Sequence, residues 1–373
     1  MARLGDIFTI SSGGTPNKNE AAYYANGTIP WIKTGDLKGK YVPEEIECIT
    51  EEGLNNSSAK LFPKDTVLVA MYGATIGACS ILPYEASTNQ ACAAFLPRED
   101  ILPEYLYYFL NSKKDQFVKD GVGGAQPNIS AGYLKNVNFD FVSLDEQKTI
   151  IDVLNKVDSL ISLRKQQLSK LDELVKSRFI EMFGDITKED TLINLCHFID
   201  YRGKTPEKVE SGLPFITAKN VKMHHMSFDT QEYISKETYD KVMTRGFPRI
   251  GDVVFTTEAP LGNVCRIPYI ETEFYIGQRI ITMQTEQLEP AYLEYALSSD
   301  EFKRKIAEKS SGSTVTGIRS KLLEQLTIPV PPRALQKQFS AFVEQTDKSK
   351  FEIQKSLEKL ETLKKALMQK YFG

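Results

Sequence analysis

The most regular pattern of apolar and polar positions occupies residues 144–184, where apolar side chains recur at alternating steps of four and three residues. That spacing is typical of a helix whose apolar stripe packs against another helix in a coiled coil. A matching stripe lies at residues 333–373, at a constant offset of 189 residues, as Gln147 against Gln336 and Phe183 against Phe372 illustrate. The predicted seam residues are Ile150, Leu154, Val157, Ile161, Leu168, Leu171, Val175 and Met182 in the first helix and Phe339, Val343, Ile353, Leu357, Leu360, Leu367 and Tyr371 in the second.

The two stripes complement each other, which predicts that the helices are partners. Where one stripe carries a basic residue the other has an apolar one, as Lys350 against Ile161 and Arg164 against Ile353 show. A helix of about 40 residues with such a stripe needs another helix to cover it. A second interpretation is that each helix packs separately onto its own globular half.

The segments that precede the two helices also repeat each other. The first is predicted to contain a strand, a helix and a glycine-rich loop at 65–70, 103–110 and 121–130, and the second at 251–255, 292–297 and 311–319. The sequence thus predicts an α+β fold with mixed α/β domains at 1–143 and 186–330 and long helices at 144–185 and 331–373. Because the loops differ most between the copies, the pattern is typical of rigid frames that display different recognition surfaces.

Composition indicates a globular protein of a reducing compartment. Of the 373 residues, 41% are hydrophobic and 25% charged, which is ordinary for globular domains. No apolar run reaches the roughly 18 residues that span a membrane, and no signal-peptide core follows Met1. The cysteines, Cys48, Cys79, Cys92, Cys196 and Cys265, are odd in number and form no CxxC pair, which predicts free thiols. We therefore expect a cytoplasmic location without membrane contact.

The net charge does not favour DNA binding by the chain alone. Residues 1–143 hold 12 Lys+Arg against 16 Asp+Glu (−4), and residues 186–330 hold 18 against 20 (−2). The helical segments hold 7 against 8 (−1) and 9 against 5 (+4). Because phosphate contacts dominate DNA affinity, a DNA-binding role would need a basic partner or a local cluster of cations.

Signatures of catalysis are missing from the sequence. It has neither the Asn/Asp-Pro-Pro-Tyr motif of adenine methyltransferases nor a GxxxxGK[ST] phosphate loop. The stretches at 36–38 and 146–148 resemble the end of a nuclease motif, but no Pro-Asp dipeptide accompanies them. His197, His224 and His225 have no acid or cysteine at ligand spacing. We therefore expect neither catalytic residues nor a metal site.

Polar residues in the predicted loops are candidates for reading DNA bases. Lys and Arg suit guanine, whereas Asn and Gln suit adenine. Taken singly, each of them is better explained as a solvated loop residue, and Trp31 and Phe215 are predicted to be core. The candidates are Lys33, Thr34, Tyr72, Gln90, Gln126 and Asn128 in the first half and Lys219, Asn220, Gln278, Arg279, Thr314, Thr316 and Arg319 in the second.

Four motifs in the first half resemble a known family. They are Ser12-Gly13-Gly14-Thr15-Pro16, Trp31-Ile32-Lys33-Thr34-Gly35-Asp36-Leu37, Gln126-Pro127-Asn128-Ile129 and the helix start Leu144-Asp145-Glu146-Gln147. Together with the duplication they resemble the specificity subunit of a type I restriction-modification system over essentially the whole chain. The second half departs from the pattern, with Arg202-Gly203-Lys204-Thr205-Pro206 for the glycine-rich turn and Lys219-Asn220 for Gly35-Asp36.

The resemblance implies a non-catalytic reader of double-stranded DNA. Each domain would read one half of a bipartite site in the major groove, and the long helices would form an antiparallel coiled coil that separates the domains. Each helix would dock a methyltransferase (M) subunit that carries S-adenosylmethionine, so this chain would bind no cofactor itself. Motor-nuclease (R) subunits would join the full complex.

Other classes of function remain open at this point. One is a stand-alone DNA-binding or regulatory protein, and another is the specificity subunit of a related restriction-modification enzyme outside type I. A third is a nuclease or methyltransferase with unrecognised catalytic residues. Co-purification with a larger partner and activity of the purified chain would separate them.

Overall fold

The computed structural model describes residues 2–121, 128–201, 205–277, 279–310 and 317–373. The chain divides into two compact units: the first unit is Met1–Lys165 with Lys355–Gly373, and the second unit is Gln166–Gln354. The predicted segments begin and end close to where the long helices do. The boundaries between the two units instead fall inside both long helices. Each unit therefore contains one α/β domain, the start of one long helix and the end of the other.

The domain of the first unit is built from short strands and helices. These are β1 (Ala2–Arg3), α1 (Leu4–Ile7), β2 (Ile10–Ser12), β3 (Ile29–Ile32), β4 (Cys48–Ile49), α2 (Glu51–Asn55), β5 (Leu61–Phe62), β6 (Val67–Ala70), β7 (Cys79–Ile81), β8 (Ala86–Thr88), β9 (Cys92–Phe95), α3 (Pro103–Ser112), α4 (Lys114–Asp120), α5 (Ala131–Lys135) and β10 (Asn138–Phe139), followed by the long helix α6 (Leu144–Phe183). One antiparallel sheet has the order β2-β9-β6-β7, and a mixed sheet has the order β4-β3-β8-β5, in which β3 and β8 are parallel. The predicted strand at 65–70 is confirmed as β6, whose four residues are all buried.

The domain of the second unit repeats this order of elements. They are β11 (Glu189–Thr191), α7 (Leu192–Leu195), β12 (His197–Asp200), β13 (Leu213–Ile216), β14 (Val221–Lys222), β15 (His225–Met226), β16 (Glu232–Ile234), α8 (Lys236–Val242), β17 (Val253–Thr256), β18 (Val264–Arg266), β19 (Tyr275–Ile276), β20 (Ile280–Gln284), α9 (Pro290–Ser298), α10 (Asp300–Lys309), α11 (Ser320–Glu324), β21 (Thr327–Pro329) and the long helix α12 (Arg333–Phe372). Its sheets β12-β20-β17-β18 and β16-β13-β19, with β13 and β19 parallel, match those of the first domain. The predicted α+β duplication is confirmed.

The two long helices lie side by side and antiparallel within each unit. In the first unit the Lys364 ammonium lies 2.6 Å from the Asp158 carboxylate, and Lys165 lies 3.2 Å from Glu361. In the second, Lys350 lies 2.5 Å from Asp172. As the residue number rises along α6, that of the α12 partner falls. Every predicted seam residue is buried or half-buried, because these positions face the other helix or a domain core.

The end of each long helix packs into the domain that precedes the other helix. Phe372, at the end of α12, lies 5.2 Å from Tyr105 of α3 between ring centroids. Phe183, at the end of α6, lies 4.8 Å from Tyr292 of α9. Both phenylalanines belong to the main hydrophobic core of their unit. The interpretation in which each helix packs only onto its own half is therefore wrong.

Gln147 and Gln336, at equivalent positions of the repeat, form hydrogen bonds that connect the beginning of each long helix to its own domain. Gln147 is fully buried, and its Oε1 accepts a hydrogen bond from the Leu102 N–H at 2.9 Å. Its Nε2 donates to the Asp100 and Val142 carbonyl oxygens, both at 2.9 Å. Gln336 accepts in the same way from the Glu289 N–H at 2.9 Å. The repeat of this residue type is thus explained by structure.

No helix in the described ranges combines the length and the apolar character needed to cross a bilayer.

Candidate nucleic-acid interface

Loops of the first domain meet at one edge of its two sheets. The parallel strands β3 and β8 end together, and the Asn89 N–H donates to the Ile32 carbonyl oxygen at 2.9 Å. In the neighbouring sheet the Met71 N–H donates to the Ala91 oxygen (2.9 Å), and the Ile129 N–H donates to the Met71 oxygen (3.0 Å). We call the surface formed by these loops the first loop edge: residues 33–37, 71–77, 89–91 and 128–130.

The glycine-rich turn at 12–16 packs tightly beside this edge. A Cβ atom on Gly13 would lie 1.9 Å from the Thr88 carbonyl oxygen, so only glycine fits there. The Trp31 indole N–H donates to the Gly14 carbonyl oxygen at 3.0 Å, and the Thr15 hydroxyl bonds the Gln90 side chain. The motif therefore has a packing role that brings its polar residues next to Gln90.

The second domain builds an equivalent surface with the same main-chain hydrogen bonds. The Gly277 N–H donates to the Ile216 oxygen (2.7 Å), the Thr257 N–H to the Arg279 oxygen (2.8 Å), and the Ile318 N–H to the Thr257 oxygen (3.0 Å). We call this surface the second loop edge: residues 217–220, 257–262, 277, 279 and 317–319.

The shared hydrogen bonds define which residues are equivalent in the two edges. An isolated antiparallel bridge joins Tyr72 to Asn128 in the first edge, and the corresponding bridge joins Glu258 to Gly317 in the second. By the same criterion Arg279 stands where the first domain has Ala91. One backbone frame therefore carries different side chains in the two domains.

Three of the candidates of the first half are exposed on the first loop edge. Tyr72 is 46% exposed, and Gln90 and Asn128 are also exposed. Thr34 is half-buried in the 3₁₀ turn Thr34–Asp36. Gln126 lies outside the described residues. That these residues contact bases stays a prediction.

Lys33 is engaged within its own domain. Its ammonium lies 2.6 Å from the Glu47 carboxylate, and this hydrogen-bonded pair raises the pKa of Lys33. The same ammonium lies 5.9 Å from the centre of the Trp31 ring. To reach a guanine, Lys33 would have to leave Glu47.

Asn220 has to be removed from the candidate base contacts. Its side chain is 1% exposed, and its Oδ1 accepts from the Thr217 N–H at 2.9 Å. Its Nδ2 donates to the Ser227 and Thr230 carbonyl oxygens at 3.0 and 2.8 Å. The equivalent Asp36 accepts from the Lys33 N–H at 2.8 Å. Both residues close the loop after the strand, as Asp and Asn commonly do.

The other described candidates of the second half are exposed on the second loop edge. Lys219 follows β13, and Arg319 precedes α11 as its N-cap residue. The Arg279 side chain is 53% exposed, and its Nε lies 3.1 Å from the Glu258 carboxylate. Gln278, Thr314 and Thr316 lie outside the described residues.

Sequence reasoning missed Glu258 as a member of this surface. The stretch at 258–262 corresponds in the repeat to residues 72–77, and both stretches contain glycine. An acidic residue is not expected to face phosphates, and residue type alone therefore gave no reason to include it. The contact with Arg279 in the structure is what identifies Glu258 as a member of this surface.

Four buried thiols and the buried Glu294 carboxylate lie outside the loop edges. Cys79, Cys92, Cys196 and Cys265 are buried, and loss of hydration raises the pKa of each thiol to about 12, so they stay protonated near neutral pH. His224 Nδ1 lies 2.9 Å from the buried Glu294 carboxylate. Within the described part of the chain, no three His, Cys, Asp or Glu residues group as metal ligands would.

The duplicated fold and its paired loop edges define a recognition protein with two similar frames and two different surfaces. Residues 1–173 and 191–365 match the family described as type I restriction modification DNA specificity domain. Because the two matches cover most of the chain, this protein belongs to that family.

Two sequence relatives agree with this membership. The chain is 25% identical to the MjaIX specificity subunit of Methanocaldococcus jannaschii, over 99% of this chain and 91% of the relative. It is 28% identical to the EcoR124I/EcoR124II specificity subunit of Escherichia coli, over 49% of this chain and 46% of the relative.

Two solved structures share the fold over the whole chain. The S subunit of a type I restriction-modification system from M. genitalium superposes with a TM-score of 0.57 at 17% identity, covering 100% of this chain and 95% of the other. A chain from a study of complex assembly and conformational transition in the type I R-M system has a TM-score of 0.61 at 19% identity, covering 100% and 96%.

Proposed function

We propose that this chain is the DNA-reading subunit of a type I restriction-modification complex and has no catalytic role of its own. The observation that carries the proposal is the common main-chain frame of the two loop edges, with different side chains at equivalent positions. A protein that reads a bipartite site needs a fixed frame in each domain to set register and variable side chains to choose bases. Membership of the specificity family over both repeats supports the proposal.

The proposed partners are two methyltransferase subunits, which carry S-adenosylmethionine, and motor-nuclease subunits in the full complex. Both long helices expose a leucine at the same position of the repeat, Leu174 at 50% and Leu363 at 47%. Because the two positions are related by the repeat, they would offer the same apolar side chain to two copies of one partner. In this proposal the chain binds no cofactor itself, and its free thiols fit a cytoplasmic location.

Charge supports a requirement for the partner in DNA binding. The domains at 1–143 and 186–330 carry −4 and −2. A basic methyltransferase surface would supply the phosphate contacts that these domains lack. The loop edges then contribute sequence choice rather than most of the affinity.

The test is to sequence the methylated bases of a host that expresses the partner methyltransferase, with and without this chain. We expect a bipartite methylated motif only when the chain is present. Methylation that is independent of the chain, or a chain that alone methylates or cleaves DNA, would contradict the proposal. Binding of the purified chain and of the complex to the same motif, measured at two salt concentrations, would show whether affinity depends on the partner.

A further inference from the structure

We propose that Arg279 selects a guanine in the half-site of the second domain, and that Glu258 is the positioning residue that orients its guanidinium. This inference rests on the proposed function and names the base chemistry that one surface reads. It also predicts a difference between the domains, since the equivalent residues of the first are Ala91 and Tyr72.

Arg279 occupies an unusual backbone position on the second loop edge. Its φ angle is +73°, in the left-handed region that favours glycine. Its carbonyl oxygen accepts the Thr257 N–H at 2.8 Å, which fixes this residue to the neighbouring loop. An arginine is uncommon in this conformation, which makes its side chain a candidate for a functional role.

The contact between the two side chains suits recognition of guanine. Nε of Arg279 lies 3.1 Å from Oε1 of Glu258. A guanidinium reads guanine by donating two parallel hydrogen bonds to O6 and N7 in the major groove. This contact lies at Nε, on the side of the guanidinium that is attached to the side chain, away from the fork of the terminal amino groups. A contact on one side of the planar guanidinium limits the orientations of its terminal amino groups. Less side-chain entropy is then lost when Arg279 binds a base.

Charge distinguishes this pair from a phosphate contact. A phosphate anchor gains most from a net positive charge, whereas Arg279 and Glu258 together are close to neutral. The Glu258 carboxylate would weaken the attraction of Arg279 to the DNA backbone. It would also restrict the orientation of the guanidinium, so that fewer bases offer acceptors in the right place. The pair therefore fits sequence choice better than general affinity.

Glu258 is itself held in place by the frame. It forms the isolated bridge with Gly317, and a Cβ atom on Gly317 would lie 3.3 Å from the Glu258 Cβ. The Glu258 side chain is 40% exposed, so both members of the pair are accessible from solvent. The carboxylate thus stands on a fixed backbone beside an accessible arginine.

The experiment uses the complex of this chain with its methyltransferase and a set of duplexes in which each base pair of the methylated motif is replaced in turn. We expect the wild-type complex to require a G·C pair in the half-site of the second domain. Arg279→Ala should reduce discrimination at that pair by roughly tenfold to a hundredfold and leave the other positions unchanged. Arg279→Lys should relax the same pair, because it keeps the charge but loses the planar fork.

The positioning role is tested with Glu258→Gln and with a double variant. Glu258→Gln should relax the same base pair, and adding it to Arg279→Ala should have little further effect, since the two residues act as one unit. Arg304→Ala, which removes one exposed positive charge from helix α10, is the control and should leave discrimination unchanged. Thermal unfolding of each variant shows whether the fold is retained.

Several results would overturn the inference. They are a half-site of the second domain without a required G·C pair and an equal loss of affinity for all duplexes in Arg279→Ala. Unchanged discrimination in Arg279→Lys would overturn the role of the planar fork, because lysine can also donate to guanine. Unchanged discrimination in Glu258→Gln would overturn the positioning role. Failure of the proposed function is visible separately, because the wild-type complex would then show no sequence preference at all.

Discussion

At the scale of single residues, Gln147 and Gln336 show how a repeated residue type can mark a structural joint. Each amide lies at the first turns of a long helix and bonds backbone groups that precede α3 or α9. Both glutamine side chains are buried, so a polar group that loses its partner there is left without a hydrogen bond. The glutamines thus connect helix and domain through main-chain atoms, which makes the joint independent of the domain's side chains.

Gln147→Met should destabilise the first unit by about 1–3 kcal/mol. The substitution keeps the size of the side chain but leaves the Leu102 N–H and the Asp100 and Val142 carbonyl oxygens without their partner. Chemical denaturation followed by hydrogen exchange would measure the loss and localise it. Gln166→Met, at an exposed position of the same helix, should have little effect.

Glu104 should make the stability of the first unit depend on pH in the acid range. Burial opposes ionisation of Glu104, but the Lys40 ion pair and the Tyr41 hydrogen bond outweigh it and lower its pKa. A lowered folded-state pKa means that the stabilisation is complete above the ordinary value of 4.5 and is lost as pH falls through the folded value. Denaturation measured between pH 6 and pH 3.5 should show this loss, and Glu104→Gln should reduce it.

The matched control for that measurement is Glu99→Gln, at an exposed position of the same domain. It should leave the pH dependence of unfolding as in the wild type. An identical acid response in Glu104→Gln and in the wild type would show that Glu104 does not contribute.

Residue type predicted part of the candidate site. Polar residues of glycine-rich loops, such as Tyr72, Gln90 and Arg279, do lie on the loop edges. Asn220 was misassigned because an asparagine can either contact a base or close a turn, and the residue type does not distinguish these roles. Only its four hydrogen bonds distinguish them.

At the scale of elements, the two long helices were predictable in extent but not in packing. The heptad spacing and the repeat placed a helix over 144–184, and the observed helix is Leu144–Phe183. Periodicity shows that a stripe is covered, but it does not identify the covering surface. That Phe372 enters the core of the first unit follows from three-dimensional packing alone.

Removing either terminal phenylalanine should destabilise a different unit. Phe372→Ala should cost about 3–5 kcal/mol and increase hydrogen exchange in α3 of the first unit, because it leaves a cavity beside Tyr105. Phe183→Ala should do the same in α9 of the second unit, beside Tyr292. The two variants serve as controls for each other. If both variants increase hydrogen exchange in the same unit, this would contradict the packing of each helix end into the domain that precedes the other helix.

At the scale of the whole molecule, the duplication predicts that recognition is modular. Replacing residues 1–143 by the corresponding domain of another family member should change one half of the methylated motif and leave the other half unchanged. The joint at Gln147 uses main-chain groups, so it should tolerate the exchange. The pocket for Phe372 uses Tyr105 and Phe109, so the incoming domain needs aromatic residues there.

Sequencing of methylated DNA from the exchanged protein provides the measurement, with the reciprocal exchange of residues 186–330 as control. The control should change the opposite half of the motif. If both halves change in either protein, the domains do not read independently.

Because the end of each long helix packs into the domain that precedes the other helix, the order in which the protein can fold during synthesis is constrained. Lys113 donates to the Phe372 carbonyl oxygen at 2.7 Å across 259 positions of the chain, and residues 355–373 belong to the first unit. Domains usually fold as they leave the ribosome, with the N-terminal one first. Here the domain of the first unit receives the last part of its core only after residues 355–373 have been synthesised. Until then it exposes the apolar pocket around Tyr105 and Phe109, and a message truncated before Lys355 would yield a product whose earliest domain never completes.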